Sequence, residues 1–382
     1  MIHIRCDSTV YELLTFFAYV GEFPYAAIPL LGGYDTNRKV IYKMSKDQQY
    51  RIPDHDQVIS GRLLNISGSK KQKTIRLSQV GVMVLEKVNP EAGAYYSQVY
   101  GKAKISSSAE RIDRAHRIAE TVALFRLAGV ETCPSKLPSI QLNVFMDTPP
   151  DVPLFYPSQE LKHIESDSVN KLAFSRITGM LLSPGGCYPI YNSRDTRMEW
   201  NGRGEGKVKA YLSVVAKKNA GQTDMESAMI LGSDYGIAQL TLAFLGKVNR
   251  TEDRFDQIYS HLHFIPMNDF GTHLIKILSL PDWKETLLDL LFDEEEQSGM
   301  EATFCYDAIR DEAYVLSFLD SDIFRLNAFW DTVRRYKYKA SVICFPEQVP
   351  FLQNLLRGKV SLQTVTMDMV ENAIYEGSDS DE

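Results

Sequence analysis

GRLLNISGSKKQKTIRLSQVG, residues 61–81, decides how the first part of the chain is read. Two short segments of alternating apolar and polar residues, GRLLNISG and TIRLSQVG, flank the Gly-, Ser- and Lys-rich SGSKKQK. That pattern predicts an antiparallel hairpin with a basic tip. Upstream, STVYELLTFFAYVG has Ser8 in N-cap position, Leu13, Phe16, Phe17 and Val20 on one helical face, and Gly21 as its stop. EFPYAAIPLLGG reads as a short second helix broken by Gly32 and Gly33, and YDTNRKVIYKMSKDQQ as a third, capped by Asp35 or Thr36. QQYRI and a linker lead into the hairpin. Three helices followed by a two-stranded wing is the pattern of a winged helix-turn-helix.

The charge distribution agrees with that use. The whole chain carries −7, yet residues 1–80 hold eleven Lys and Arg against seven Asp and Glu, so the basic excess sits at the N-terminal end. A helix bearing Arg38, Lys39, Lys43 and Lys46 can enter a major groove while Lys70, Lys71, Lys73 and Arg76 of the wing meet phosphates beside it. Double-stranded DNA is therefore the expected partner, with the steep salt dependence of counterion release. The competing expectation is a module of the same shape that contacts protein.

A chain of 382 residues predicts two or three domains, and 44% hydrophobic with 24% charged residues places it among folded, soluble proteins. Cys6, Cys133, Cys187, Cys305 and Cys344 are scattered, with no CxxC pair, and read as reduced thiols of a cytoplasmic protein. The N-terminal stretch has helical periodicity rather than the apolar run of a leader, and no segment reads as membrane-spanning.

Beyond residue 81, VMVLEKVNPEAGAYYSQVYGKAK reads as a connector with a short helix, and SSSAERIDRAHRIAETVALFRLAGVET as a long helix capped by Ser107 or Ser108. Ile112, Ala115, Ile118, Ala119, Val122 and Phe125 form its apolar stripe, and His116 is assigned no chemistry. CPSKLPSIQ and DTPPDVPLFYPS predict loops over residues 133–158. After residue 170 strands and helices alternate, opening with a hairpin around Pro184-Gly185-Gly186, which predicts a mixed or parallel central sheet. The expected architecture is multidomain α/β: a winged helix over 1–85, a helical connector over 86–160, a mixed α/β domain over 161–375 and an acidic tail over 376–382.

A hairpin ending in TIRLSQVG, a long helix RIDRAHRIAETVALFRLAGV and a following α/β domain together resemble the replication-relaxation family of mobile-element proteins, over roughly the first 240 residues. That family includes the MobC-type plasmid relaxases. The resemblance implies a protein of a plasmid, integrative element or phage that binds DNA at an origin or regulatory site. In the relaxase branch it implies a restriction-endonuclease-like core of the PD-(D/E)xK kind, with Mg²⁺ or Mn²⁺ held by carboxylates and a lysine at the scissile phosphate.

RMEWNGRGEGKVKAYL, residues 197–212, is where such a core would fall. Asp195 and Glu199 stand beside Glu205 and Lys207, which form an ExK, but Asn201 occupies a position where lysine is wanted and Gly204 to Lys207 read as the first turn of a helix. An acid there also meets the helix dipole. The expectation is a degenerate nuclease-like core, with a metal-dependent nickase as the alternative and Lys207, Lys209, Lys217 and Lys218 as a basic face. A separate reading takes His261-Leu262-His263 as two metal-ligating imidazoles on one strand face, as in HUH nickases, with His273 or Asp269 as a further ligand. The C-terminal edge of the late strand-helix-strand, near Asp320 and Glu347, is a place where a ligand could sit. From a different class, a non-enzymatic replication or transcription regulator would use the second half to bind a protein partner and act as a homodimer.

Overall fold

A computed structural model describes all residues except 53–56, 69–71, 102–107, 141–144, 147, 164–174, 199, 201, 223–224, 246–253, 298–303 and 379–382, with the side chains of 162–163 and 375–378 also outside the description. The chain divides into two units, Met1–Pro138 and Ser139–Glu382. Both are mixtures of helix and strand, and no described helix is long and apolar enough to cross a membrane. All five cysteines are unpaired.

The first unit runs β1 (Ile2–His3), α1 (Thr9–Val20), β2 (Glu22–Pro24), a 3-10 helix (Tyr25–Leu31), α2 (Tyr34–Met44), β3 (Gln48–Ile52), β4 (Gln57–Gly61), β5 (Leu64–Ser67), β6 (Thr74–Leu77), α3 (Gln79–Val88), α4 (Pro90–Val99) and α5 (Ala109–Leu127). α1 begins where its cap predicts, with the Ser8 hydroxyl accepting from the Tyr11 N–H, and ends at Gly21 with φ +71°. Within residues 61–81 the hairpin forms as β5 and β6, antiparallel, with Asn65 opposite Arg76 and Ile66 opposite Ile75, whereas Gly61 ends β4 and residues 79–81 open α3.

The second predicted helix differs. EFP is instead a strand, β2, which pairs with β6 and makes the hairpin a three-stranded sheet in the order β2-β6-β5. Only YAAIPLL turns, and as a 3-10 helix: Pro24 and Pro29 lack the N–H groups a longer helical ladder needs. α2 is capped by left-handed Gly33, φ +48°, not by Asp35 or Thr36. QQYRI, as β3, joins β1 and β4 in a second small sheet.

α1 supplies Phe16 and Phe17, which pack edge-on and tilted against Phe23 of β2. α5 packs against β2 and the 3-10 helix, with Ser108 as its cap. The segment read as a connector with a short helix holds most of α3 and all of α4, which with α5 belong to the first unit, while residues 139–160 of the predicted connector belong to the second. His116, on α5, is buried, and its Nε2 lies 3.0 Å from the Thr74 hydroxyl.

The second unit runs β7 (Leu154–Pro157), β8 (Ile177–Ser183), β9 (Gly186–Arg194), α6 (Gly202–Ala220), β10 (Ser227–Gly232), α7 (Tyr235–Leu245), β11 (His261–Pro266), α8 (Asp269–Ser279), α9 (Trp283–Leu291), β12 (Ala308–Arg310), β13 (Ala313–Ser317), α10 (Ile323–Tyr336), β14 (Ala340–Cys344), α11 (Val349–Leu356), β15 (Ser361–Thr364) and α12 (Met367–Ser378). Instead of one central sheet there are two. The first has the order β11-β10-β9-β8-β7, parallel across β9, β10 and β11 and antiparallel across β7, β8 and β9. The second has the order β12-β13-β14-β15, parallel except for β12.

A single bridge between His263 and Asp322, beside a hydrogen bond from the Phe264 N–H to the Ser321 carbonyl (2.9 Å), ties the edge strand β11 to the segment that follows β13. β7 falls inside the predicted loop 133–158. Its four residues are buried, and it lies at the sheet edge, where Pro157 costs no ladder bond.

Candidate functional site

The end of α2 and the hairpin are held together by backbone. The Leu63 N–H donates to the Met44 carbonyl (2.8 Å), joining the last turn of α2 to the start of β5, and the Tyr25 N–H donates to the Lys73 carbonyl (2.8 Å). Asn37 adds a side-chain tie, its Nδ2 donating to the Gly32 carbonyl (2.5 Å). An open groove results, lined by Tyr25, Tyr42, Lys46, Arg62, Asn65 and Lys73 among others.

α2 buries only Ile41 and Met44 of its eleven residues. Arg38, Lys39 and Lys43 are exposed, as is Lys46 just beyond its end, and Tyr42 is 60% exposed. Among the described residues none of these four cations has a carboxylate partner; Arg38 lies over the Tyr34 ring and Lys46 over the Tyr42 ring, 5.9 and 5.2 Å from the centroids. Across the groove the Lys73 ammonium sits 4.1 Å over the Tyr25 ring. Cations held over aromatic faces keep their charge and present it in a defined place.

Arg76 does something else. Its guanidinium is 2.8 Å from Glu22 of β2, directly opposite in the sheet, and both side chains are largely buried. Burial pushes the Glu22 carboxyl above its ordinary value and Arg76 opposes that shift. Arg76 therefore neutralises a buried acid while also bordering the groove, and Lys70 and Lys71 lie outside the described residues. Tyr25, Tyr42 and Arg62 were not singled out from sequence; only the fold brings them beside Lys46 and Lys73.

In the second unit Glu205 and Lys207, the acid and lysine of the ExK, do not share a face of their helix. Glu205 is fully buried on α6: one carboxyl oxygen accepts from the Arg176 backbone N–H (2.9 Å) and the other from the Tyr191 hydroxyl (2.8 Å), which lies 3.2 Å from the Tyr259 hydroxyl. Burial, with Tyr259 and Glu205 alongside, pushes the Tyr191 phenol well above its ordinary value. Trp200 stacks on Phe255 at 3.6 Å beside the same cluster.

Lys207 is exposed, because residues two apart on a helix point to roughly opposite sides. Asp195 is exposed beyond the end of β9, and Glu199 lies outside the described residues. Lys209 is engaged too, with Glu226 at 2.6 Å and the Ile258 carbonyl at 2.8 Å. The hydrogen bonds from Lys209 and Ser260 hold the Glu226 carboxyl below its ordinary value.

His261 and His263 share a face of β11 as period two requires, but both are anchored by their Nδ1 atoms. His261 Nδ1 lies 2.6 Å from Asp322, and His263 Nδ1 2.8 Å from the Asp320 carbonyl. His263 is buried edge-on to Tyr188 and Trp283. His273, the suggested third ligand, pairs instead with Glu371 of α12 at 2.5 Å. Among the described residues no group of three or more His, Cys, Asp or Glu is arranged to hold a metal ion.

Asp322 caps α10, accepting from the Phe324 and Arg325 N–H groups (3.0 and 3.2 Å) and from the Leu262 N–H (3.1 Å). Burial works against its charge, yet the His261 hydrogen bond and the nearby His263 and Arg325 hold its carboxyl below the ordinary range. Arg325 is in turn buried between Asp307 (2.5 Å) and Asp320 (3.6 Å).

At the C-terminal edge of β13 and β14, where a ligand could sit near Asp320 and Glu347, the buried Gln348 side chain is committed to protein partners. The Gln348 amide donates to the Ser321 hydroxyl (2.8 Å), the Phe318 carbonyl (3.0 Å) and the Tyr235 hydroxyl (3.2 Å), and its oxygen accepts from the Phe345 N–H (2.9 Å). No family model, curated protein or solved structure matches the chain.

Proposed function

We propose that the protein binds double-stranded DNA through its first unit, as a winged helix-turn-helix in which α2 enters the major groove and the β5-β6 hairpin lies against the flanking backbone. The observation that carries this reading is α2 itself: a helix burying two of eleven residues, with Arg38, Lys39, Lys43 and Lys46 unpaired and Lys73 across the groove. The strand order β2-β6-β5, with β2 lying between the first two helical segments, supports the same module. The second unit serves assembly or regulation at the bound site, as the resemblance to the replication-relaxation family suggests, rather than cleavage of a strand: its proposed acid, Glu205, is already committed to Tyr191 and Arg176.

The test is fluorescence anisotropy with labelled duplex at several salt concentrations. Each phosphate contact contributes about 0.9 to the slope of log affinity against log salt. Lys43→Ala and Lys46→Ala should each weaken binding to every duplex and lower that slope by about one. Arg76→Ala should lower stability rather than the slope. A double Lys43→Ala, Lys46→Ala variant that binds duplex as tightly as the parent protein overturns the reading. Incubation with supercoiled DNA and Mg²⁺ or Mn²⁺ should give a gel shift without open circles; metal-dependent nicking lost in Lys207→Ala would restore the nickase.

A further inference from the structure

The second unit is acidic overall, with 23 Lys and Arg against 36 Asp and Glu over residues 139–382. Besides the basic face of α6, a second stretch breaks that character. RRYKYK, residues 334–339, covers the last turn of α10 and the link into β14, and all six residues are exposed. Arg334 pairs with Asp331 at 3.0 Å on the surface, a pairing worth little in water, and Lys339 donates to the Asp311 carbonyl. Among the described residues Arg335 and Lys337 have no carboxylate partner.

Between these cations stand two tyrosines whose rings stack, Tyr336 on Tyr338, with centroids 5.5 Å apart and planes within 21°. Tyr338 also makes tilted ring contacts with Tyr314 at 4.9 Å and Phe304 at 5.7 Å. Tyr336, 59% exposed, is the most exposed ring of this aromatic cluster. Cations in the last turn of a helix are explained by the helix dipole, which covers Arg334 and Arg335. It does not explain two exposed aromatic rings in register, nor Lys337. That residue occupies the left-handed C-cap, φ +57°, a conformation that glycine adopts at lower cost.

We infer that this surface binds single-stranded nucleic acid: a base stacks on the open face of Tyr336 while Arg335 and Lys337 meet the phosphates on either side. Aromatic platforms flanked by cations hold unpaired strands with little sequence preference, because every base has a π-face and every linkage a charge. Duplex bases are stacked on each other and cannot use the ring. The surface thus adds a contact for melted or displaced strand that the duplex-binding groove of the first unit does not supply.

The experiment measures binding of labelled oligo(dT) to the full chain by anisotropy, with duplex binding measured in parallel. Tyr336→Ala should weaken oligo(dT) binding about tenfold and Tyr336→Phe less than about twofold, both leaving duplex affinity unchanged. Lys337→Gly should raise the melting temperature while weakening oligo(dT) binding and lowering its salt slope. Lys43→Ala should do the reverse, lowering duplex affinity and sparing oligo(dT), so that failure of either surface is seen apart from the other. Oligo(dT) binding that is absent, or within twofold of the parent in Tyr336→Ala, overturns the inference. So does an equal loss toward polyglutamate or phosphatidylserine vesicles, which would assign the surface to an acidic peptide or a membrane.

Discussion

Glu205 and Asp322 show how a side chain that looks chemical can be structural. Glu205 lies in a GEGK stretch with the composition of a nuclease motif, yet its two oxygens are the acceptors that satisfy a buried phenol and a buried N–H. Truncation to Glu205→Ala takes the acceptor from the Arg176 N–H and leaves the Tyr191 hydroxyl only Tyr259, and should cost about 2–5 kcal/mol in urea unfolding, against little change for Lys207→Ala.

Asp322 makes a pH prediction. Its carboxyl is held below the ordinary value of 3.8, so its contribution to stability is present above that value and is lost as pH falls through the lower, folded-state value. Asp322→Asn keeps an acceptor at the cap of α10 but gives up the charge beside His261. It should destabilise the second unit by about 1–3 kcal/mol at pH 7, and the gap between the two proteins in denaturant midpoints should narrow below about pH 4. A gap that is constant from pH 3 to 7 would remove the ionised carboxylate from the account.

Elements differ in how closely their surroundings constrain them. α8 docks on β11 so tightly that a β-carbon at Gly271 would stand 1.8 Å from the Pro266 carbonyl oxygen. Gly271→Ala must move the helix off its sheet and should cost several kcal/mol, on the order of other overpacked cores. Gly206, by contrast, lies in the first turns of α6 with nothing within 4 Å of a β-carbon. Gly206→Ala should raise stability by about 0.5–1 kcal/mol in thermal unfolding, because alanine loses less backbone entropy on entering a helix.

α1, α5 and the hairpin were legible because their signals are local: Ser8 and Ser108 cap where a short polar acceptor precedes an apolar stripe, and Gly68, φ +86°, stands where the hairpin turns. β2 and β7 were not. Each is three or four residues long and bordered by proline, so local pattern reads them as helix start or loop, and only a paired neighbour makes them strands.

Across the whole molecule, charge separates the two units. Residues 1–138 carry 19 Lys and Arg against 13 Asp and Glu, whereas residues 139–382 carry the opposite excess. If duplex binding resides in the first unit, a fragment of residues 1–138 should fold cooperatively and bind duplex more tightly than the full chain at low salt, since the net negative charge of the rest repels DNA. The advantage should disappear as salt shortens the screening length to about 8 Å near 0.15 M. A fragment that binds more weakly than the full chain at every salt concentration would place essential duplex contacts in the second unit.

The sequence by itself determined which segments turn as long helices, the caps of α1 and α5, that a basic hairpin follows α2, and that the basic excess belongs to the N-terminal end. All of these depend on residues a few positions apart. Only the tertiary structure decided which polar side chains are committed: Arg76 to Glu22, Glu205 to Tyr191 and Arg176, and His261 to an aspartate 61 residues away. The physical reason is that pairing and burial are fixed by neighbours brought close through the sheets. A cation or acid that neighbours claim in this way has the same letter in the sequence as one left facing solvent.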